Sequence, residues 1–269
     1  MKNKNGGTAL ITPKGLVFFD LDGTLLNAKS ELDQEISEAL ESMKQKGIIP
    51  FIATGRSPIE IKHVLENSPI DSFITLNGQY IVYEGKEVYR SVIPENLISE
   101  LKMAADEYDF PLSMYTHDKI RTTKNNQTMI TAYKNIHTEP PEVYEEFHMK
   151  EEVLMALIIN DDSSHDEDFR AKFPELSFYR NTPYSVDTII KNNSKATGIK
   201  ELEALLGLEN VPTYAFGDGP NDKEMIAYAD YGIAMQNGVD EVKEVADYVT
   251  SSSNIDGGII EGLMKYNLI

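Results

Sequence analysis

Two aspartates at the end of a short apolar segment are the residues of this chain best suited to chemistry. Asp20 and Asp22 follow the apolar residues 16–19 and belong to the sequence DLDGT at residues 20–24. A short run rich in Val and Phe is typical of a buried strand in a parallel sheet, and active sites form at the carboxyl ends of such strands. On an extended chain the two carboxylates lie on one side. One could attack a substrate while the other transfers protons.

Two other interpretations of residues 20–24 stay open at this point. Asp and Gly are frequent in ordinary turns. With Asp20 at position 1, Glu31 falls at position 12 of a calcium-binding EF-hand loop. The EF-hand match fails at position 6, where Leu25 stands in place of the required glycine, and the preceding segment resembles a strand and not a helix. Short patterns often match by chance, so the partners of Asp20 further along the chain must decide.

A second acidic cluster follows another apolar segment. Residues 213–216 lead into the sequence GDGPND at residues 217–222, which contains Asp218, Asn221 and Asp222. Carboxylate and amide oxygens on a compact loop are the ligands that Mg²⁺ prefers. For the hexapeptide alone, a simple turn is an equally good interpretation. Two acidic clusters at two predicted strand ends together favour one shared metal site.

Two weaker patterns lie between the acidic clusters. Thr54 and Gly55 end a further apolar strand and offer a hydroxyl and main-chain N–H groups near the start of a helix, where phosphate oxygens bind well. Lys195 opens a later predicted helix and could present its ammonium group to an anion. Each pattern alone has a plainer explanation, since a lysine at a helix start is usually only solvated. They gain weight only together with the acidic clusters.

The composition excludes several classes of partner and site. The chain has 269 residues, with 44 acidic and 25 basic side chains and a net charge of −19. This charge repels nucleic-acid phosphates and anionic membrane surfaces, so we expect neither as a partner. The absence of cysteine excludes a thiol nucleophile and a thiolate metal site. No segment resembles a signal peptide or could span a bilayer, which predicts a cytoplasmic location.

The order of the predicted elements indicates an α/β fold. Strand and helix patterns alternate at the start of the chain and again in its last third, which predicts a doubly wound, Rossmann-like parallel sheet. The intervening segment breaks this alternation and is best explained as a second, mixed α/β module inserted into the first. We predict a core at residues 1–84 and 190–269 and an inserted domain at residues 85–189. A helix is predicted from Pro58 to Glu66, with Pro in its first turn.

These motifs, in this order, resemble the haloacid dehalogenase superfamily of phosphotransferases. Residues 20–24 match the first motif, Thr54 the second, Lys195 the third and residues 217–222 the fourth, so the resemblance covers essentially the whole chain. The Asn-Gly pair at residues 77–78 and the large insertion between the second and third motifs are similar to the Cof-type branch. The resemblance implies a Rossmann-like catalytic core with a bulky α/β cap.

The resemblance also implies a role for each matched residue. Asp20 is expected to attack phosphorus and form an aspartyl phosphate, and Asp22 to protonate the leaving group and then to activate water. Members that act as dehalogenases lack the second aspartate, so Asp22 points to phosphoryl transfer. The implied Mg²⁺ site comprises Asp20, the main-chain carbonyl of Asp22, Asp218 and Asp222. The implied phosphate-binding residues are Leu21, Thr54, Gly55, Lys195 and Asn221.

The expected function is that of a Mg²⁺-dependent phosphatase that acts on small phosphorylated metabolites, such as sugar phosphates or phosphorylated cofactors. The inserted domain would cover the site, exclude water and set specificity. Two alternatives remain open. A phosphosugar mutase could use the same residues, and a non-catalytic regulator could merely bind a phosphorylated metabolite. The sequence does not predict an oligomeric state.

Overall fold

The computed structural model describes residues 12–135 and 139–269. These residues form thirteen strands and nine α-helices. The strands are β1 Gly15–Phe19, β2 Ile48–Ala53, β3 Ser72–Thr75, β4 Tyr80–Tyr83, β5 Lys86–Arg90, β6 Leu112–Tyr115, β7 Ile120–Thr122, β8 Met155–Ile159, β9 Leu176–Thr182, β10 Ser185–Ile190, β11 Thr213–Gly217, β12 Tyr231–Ala234 and β13 Tyr248–Val249. The helices are α1 Gln34–Gln45, α2 Lys62–Glu66, α3 Glu95–Asp106, α4 Gln127–Asn135, α5 Asp166–Lys172, α6 Lys195–Leu206, α7 Lys223–Tyr228, α8 Asp240–Lys243 and α9 Gly258–Lys265.

One sheet has eight strands in the order β13-β12-β11-β1-β2-β3-β4-β5. Strand β1 pairs in parallel with both β2 and β11, and the pairs β11–β12 and β12–β13 are also parallel. Strands β4 and β5 form an antiparallel hairpin. The predicted α/β class with a mainly parallel sheet is therefore confirmed. The parallel arrangement matters for function because it brings the carboxyl ends of β1 and β11 to the same edge.

The central strand β1 is stable because both of its faces are covered. All five residues of β1 are buried. On the neighbouring strands, the ring of Phe51 lies 4.9 Å from that of Phe18, and the ring of Phe216 lies 4.9 Å from that of Phe19. Such aromatic pairs add about 0.5–1.5 kcal/mol each beyond the area that they bury. This packing fixes where β1 ends.

The second sheet has five strands in the order β7-β6-β8-β10-β9, and its described strand pairs are antiparallel. Its central strand β8 is apolar on both faces. Ala156 and Ile158 belong to a core cluster that includes residues of α3 and α5. Leu157 and Ile159 pack in a separate cluster with residues of α4. Helices therefore cover both faces of this strand.

The density of internal contacts separates the chain into two compact units. The first contains the described residues up to 53 together with residues 64–73 and 199–269. The second contains residues 54–63 and the described part of 74–198. The predicted inserted domain at residues 85–189 lies within the second unit, and its boundaries remain a prediction. Residues 1–11 of the predicted core and residues 136–138 of the predicted insertion lie outside the described ranges.

The structure corrects the start of one predicted helix and adds two elements. The helix predicted from Pro58 begins only at Lys62, as α2. The reason is a tight turn in which the main-chain N–H and the hydroxyl of Ser57 both donate to Oε2 of Glu60, at 2.7 Å each. Helix α4 and the short strand β13 were not predicted. No α-helix among the described residues is both long enough and apolar enough to cross a membrane.

Candidate active site

Strand β1 delivers Asp20 to the carboxyl edge of the parallel sheet. The register pairs Phe19 with Phe216, and the main-chain N–H of Asp20 donates to the carbonyl of Phe216 at 3.0 Å. The chain then makes a wide turn over Leu21–Leu25, closed by a hydrogen bond from the N–H of Leu25 to the carbonyl of Asp20 at 3.1 Å. The acids that follow β1 and β11 therefore leave the sheet side by side.

Glycine is required in this turn because Asp218 comes very close. Gly23 has a φ of +80°, and a Cβ atom there would lie 2.3 Å from Oδ2 of Asp218. Residues with a Cβ avoid this φ, and such a contact is impossible without a rearrangement. The hydroxyl of Thr24 donates to Oδ1 of Asp218 at 2.7 Å. The turn thus fixes the orientation of a carboxylate from a different strand.

The loop after β11 is fixed by a buried carboxylate. Oδ2 of Asp222 accepts hydrogen bonds from the main-chain N–H groups of Asp218 and Gly219, both at 2.9 Å. Asp222 is completely buried, and a Cβ atom at Gly217 would lie 2.6 Å from its Cγ. Hydrogen bonds from N–H groups compensate a carboxylate for lost hydration. Asp222 therefore both shapes the loop and contributes negative charge to it.

Three predicted acids converge in the first unit. Asp20, Asp218 and Asp222 each offer one carboxylate oxygen, and these atoms lie within 4.8 Å of one another. Asp20 and Asp222 are buried. Three ionised carboxylates this close repel one another strongly, and a divalent cation offsets this repulsion. The oxygen-only donor set suits a hard divalent metal ion.

The other predicted residues of the first unit lie on the two loops that carry these acids. Asp22 lies in the turn after β1 and is exposed, and its carboxylate is not among the three that converge. Leu21 is buried in the same turn. Asn221 is half-buried in the turn Pro220–Asp222, and a Cβ atom at Gly219 would lie 3.0 Å from its Oδ1. The roles expected for these residues remain predictions.

Thr54 and Gly55 lie in the second unit, directly after β2. Thr54 is buried, and its Oγ1 accepts a hydrogen bond from the N–H of Arg56 at 3.2 Å. Its main-chain N–H donates to the carbonyl of Ile74 at 2.9 Å, and its carbonyl accepts from the N–H of Asn77 at 3.2 Å. This loop is therefore held along its main chain by β3 and by the turn that follows it.

Lys195 is a buried lysine at the start of α6. Its exposed fraction is 0%, which excludes the plainer explanation of a solvated lysine. Ser194 and Thr197 cap the helix reciprocally, with Ser194 N–H donating to Thr197 Oγ1 at 2.8 Å and Thr197 N–H donating to Ser194 Oγ at 3.4 Å. Burying an ammonium group is expensive unless hydrogen bonds or negative charge compensate it. The buried ammonium group of Lys195 therefore needs compensation of this kind.

A model of the family described as haloacid dehalogenase-like hydrolases matches residues 17–263. The chain belongs to this family. The resemblance inferred from the four motifs is therefore confirmed, and the protein is a hydrolase by family. Both the acidic residues after β1 and those after β11 fall inside the matched segment.

Individual relatives resemble the chain over nearly its whole length. The protein YkrA of Bacillus subtilis (strain 168), which carries a provisional phosphatase name, is 36% identical over 243 residues, covering 90% of this chain and 94% of YkrA. The 5-amino-6-(5-phospho-D-ribitylamino)uracil phosphatase YwtE of the same organism is 26% identical and covers 90% of this chain and 94% of YwtE.

Solved structures of the family share the fold. A protein from Geobacillus kaustophilus HTA426 superposes with a TM-score of 0.88 at 34% identity, covering 94% of this chain and 99% of that one. The sugar phosphatase BT4131, of HAD subclass IIB, superposes with a TM-score of 0.81 at 28% identity, again covering 94% and 99%. The α/β core and second sheet are thus the architecture of this hydrolase family.

Sequence reasoning missed residues that hold the site in place. Nδ2 of Asn237 donates to the carbonyl of Gly23 at 2.7 Å, and Oδ1 of Asn237 accepts from the N–H of Asn254 at 2.9 Å. Nδ2 of Asn254 in turn donates to the carbonyl of Leu26 at 2.8 Å. These asparagines lie more than two hundred residues from the turn that they support. No local pattern could have identified them.

Proposed function

We propose that this hydrolase is a Mg²⁺-dependent phosphatase that cleaves small phosphorylated metabolites through an aspartyl-phosphate intermediate. The observation that carries the proposal is the convergence of Asp20, Asp218 and Asp222 at the carboxyl edge of a family-typical sheet. The names of YwtE and BT4131, a phosphatase of a ribityl compound and a sugar phosphatase, support small phosphorylated substrates. The cytoplasmic location and the cap role of the inserted domain remain predictions.

The residues present fit the metal that the family implies. Asp20 and Asp218 would bind Mg²⁺ through their carboxylates and Asp22 through its main-chain carbonyl, while Asp222 would orient the loop between them. When bound, Mg²⁺ would supply positive charge beside the transferring phosphoryl oxygens. Asp222 accepts hydrogen bonds from the main-chain N–H groups of Asp218 and Gly219, and these bonds keep Asp218 in a fixed position. A rigid ligand set of this kind lowers the cost of reorganisation.

The chemistry assigned to the chain itself uses two carboxylates. A carboxylate oxygen of Asp20 attacks phosphorus, the ester P–O bond breaks, and protonated Asp22 gives its proton to the departing alcohol. Ionised Asp22 then removes a proton from water, which attacks phosphorus, releases phosphate and regenerates the Asp20 carboxylate. The exposed position of Asp22 gives its carboxylate access to solvent for this proton cycle.

The remaining predicted residues would bind the phosphate group. Main-chain N–H groups at Leu21 and Gly55, the hydroxyl of Thr54 and the amide of Asn221 are neutral donors suited to phosphoryl oxygens. Lys195 would add a full positive charge, and its burial makes that charge more effective than it would be in water.

The proposal is tested with the Asp20→Asn variant and a panel of phosphorylated metabolites. We expect phosphate release by the wild-type protein with Mg²⁺, no release in excess chelator, and a loss of at least about 10⁴-fold in kcat for Asp20→Asn because the nucleophile is gone. Asp161→Asn, an exposed aspartate in the second unit, is the control and should retain full activity.

Other outcomes distinguish the alternative functions. Formation of a phosphosugar isomer in place of free phosphate would identify a mutase. Binding of phosphorylated metabolites with no turnover across the panel would identify a regulator. Substantial phosphate release by Asp20→Asn would remove Asp20 as the nucleophile and overturn the proposed mechanism.

A further inference from the structure

The turn between β3 and β4 is tied to the loop that contains Thr54 and Gly55. The main-chain N–H of Asn77 donates to the carbonyl of Thr54 at 3.2 Å, and that of Leu76 donates to the carbonyl of Arg56 at 3.1 Å. Asn77 adopts the left-handed conformation, with φ 52° and ψ 43°. Asparagine is one of the few residues besides glycine that tolerate this conformation. The turn therefore presents a defined side chain beside this loop.

The same turn also touches the start of α6. A Cβ atom at Gly78 would lie 2.3 Å from the carbonyl oxygen of Ser194, and one at Gly198 would lie 3.0 Å from Cα of Gly78. Glycine at both positions allows the two main chains to approach directly. Within the second unit, residues 76–78 thus lie against both segments that are expected to bind phosphate, the Thr54 loop and the helix start that carries Lys195.

The side-chain amide of Asn77 lies directly against Gly55. A Cβ atom at Gly55 would lie 3.1 Å from Oδ1 and 3.2 Å from Nδ2 of Asn77. Asn77 is 96% buried, with an exposed fraction of 4%, and its Oδ1 accepts no hydrogen bond from any residue that the structure describes. An unsatisfied buried acceptor destabilises the folded state, because it has lost the hydrogen bonds that water would give it. Such a group in a folded protein calls for an explanation.

The chemistry of the missing partner follows from what a carbonyl oxygen can accept. A phosphate dianion offers only acceptor oxygens, so it cannot satisfy Oδ1 of Asn77. A donor in the organic part of a phosphorylated substrate can, and an alcohol hydroxyl close to the ester is well suited because it is neutral and small. The adjacent Thr54 loop would hold the phosphate group itself.

We propose that Asn77 determines specificity by accepting a hydrogen bond from a hydroxyl group near the phosphoester of the substrate. The proposal rests on the phosphatase function proposed above and deepens it: the preferred substrates are phosphorylated polyols and sugars, whose carbon next to the ester carbon carries a hydroxyl. A site that hydrogen-bonds a substrate hydroxyl rejects analogues that lack it, since its buried polar group is then left unpaired.

The test compares two substrates that differ in these hydroxyls, glycerol 3-phosphate and n-propyl phosphate. The variants are Asn77→Gly and, as a matched control, Asn192→Gly. Asn192 also lies in the second unit and has a positive φ, 67°, but its side chain is exposed. Both substitutions therefore place glycine at a residue in the left-handed conformation, and only Asn77→Gly removes a buried amide. Glycine adopts this conformation without strain.

We expect Asn77→Gly to lower kcat/KM for glycerol 3-phosphate about 10- to 100-fold and to change that for n-propyl phosphate by less than about threefold. Asn192→Gly should change neither value. Because Oδ1 is unsatisfied in the free protein, Asn77→Gly should lower the midpoint of thermal unfolding no more than Asn192→Gly does. If the glycine variant does not fold, the wild-type protein still tests the inference, because its kcat/KM for glycerol 3-phosphate should exceed that for n-propyl phosphate by about tenfold or more.

Three results would overturn the inference. An equal loss for both substrates, with a lowered unfolding midpoint, would show that Asn77 only supports the Thr54 loop. Unchanged kinetics would show that solvent satisfies the amide oxygen. A wild-type protein that hydrolyses neither substrate nor p-nitrophenyl phosphate with Mg²⁺ would instead contradict the phosphatase function, and the inference would fall with it.

Discussion

The polar side chains at the carboxyl ends of β1 and β11 differ in their hydrogen bonding from the one in the turn at residues 76–78. In the first unit, the carboxylates of Asp218 and Asp222 already accept hydrogen bonds from a hydroxyl or from main-chain N–H groups. In the second unit, the amide oxygen of Asn77 is buried without a donor among the described residues. Rigid, satisfied groups suit a reaction common to a family. A hydrogen-bond acceptor that still lacks a donor suits recognition of a particular substrate.

Both regions use glycine to bring chain segments into contact, but the contacts differ in kind. A Cβ atom at Gly23 would collide with the carboxylate of Asp218, whereas one at Gly78 would collide with the carbonyl of Ser194. The first contact orients a charged side chain. The second fixes the distance between two main chains. Substitutions in the two regions should therefore damage different properties.

The largest effect is expected for Asp218→Asn. Loss of one of three converging carboxylates should lower kcat/KM on the order of 10³-fold and should raise the Mg²⁺ concentration needed for half-maximal activity. Phosphate release measured across a Mg²⁺ titration checks both values. An unchanged Mg²⁺ requirement would mean that Asp218 is not a metal ligand.

Lys195→Met should reduce kcat/KM by about 100-fold. The substitution removes a positive charge proposed to face phosphate, while an apolar side chain of similar length fills a completely buried position. Steady-state kinetics measure this loss, and thermal unfolding measures stability separately. A large loss of stability with unchanged kinetics would give Lys195 a structural role only.

Gly23→Ala should cost more than Gly85→Ala, although both glycines have a positive φ, +80° and +73°. At Gly85 a Cβ atom meets nothing within 4 Å, so only the conformational cost of about 1–2 kcal/mol applies. At Gly23 the clash with Asp218 adds to it and should lower activity about tenfold or more by displacing that carboxylate. Denaturant unfolding and kinetics of both variants test this. Equal losses would show that the site tolerates the displacement.

The smallest effect concerns acid stability. Burial acts to raise the pKa of Glu261, but hydrogen bonds from Tyr248, Ser251 and Ser252 outweigh it and hold the pKa at about 2, below its usual value of 4.5. Because the folded-state pKa is lowered, this contribution to stability is full above about pH 4.5 and disappears as the pH falls towards about 2.

Denaturant unfolding across this pH range measures the contribution of Glu261. The Glu261→Gln variant should show a smaller dependence of stability on pH between about 4.5 and 2 than the wild-type protein does. Since the side chain is only partly buried, the difference should be modest. Identical pH profiles for the two proteins would show that these hydrogen bonds do not hold the carboxylate in its ionised form.

The sequence predicted the sheet edge at which the acids converge because the information for it is local. A buried strand followed by acids needs only a few neighbouring residues to be recognised, and Asp20, Asp218 and Asp222 do meet. The support from Asn237 and the open amide of Asn77 depends on residues distant in sequence, so no local pattern contains them. A side-chain amide that contacts a distant part of the chain leaves no periodic pattern in the sequence.

Errors in the predicted helices have physical causes. Pro58 suits the first turn of a helix, but the hydrogen bonds of Ser57 to Glu60 stabilise a separate turn, and the helix starts later. Helix α4 was missed, although Met129 and Tyr133 have helical spacing and are buried. Its β-branched threonines weaken local helix propensity, so the helix depends on packing against the second sheet.

The hydrogen bond between Thr24 and Asp218 joins residues 194 positions apart. During synthesis, β1 can pair with β2 early, but its other edge stays unpaired until β11 has left the ribosome. An apolar edge strand exposed for that long is a target for unwanted association. A chain released before its last third is synthesised would keep this edge exposed and would lack two of the three acids that converge, Asp218 and Asp222.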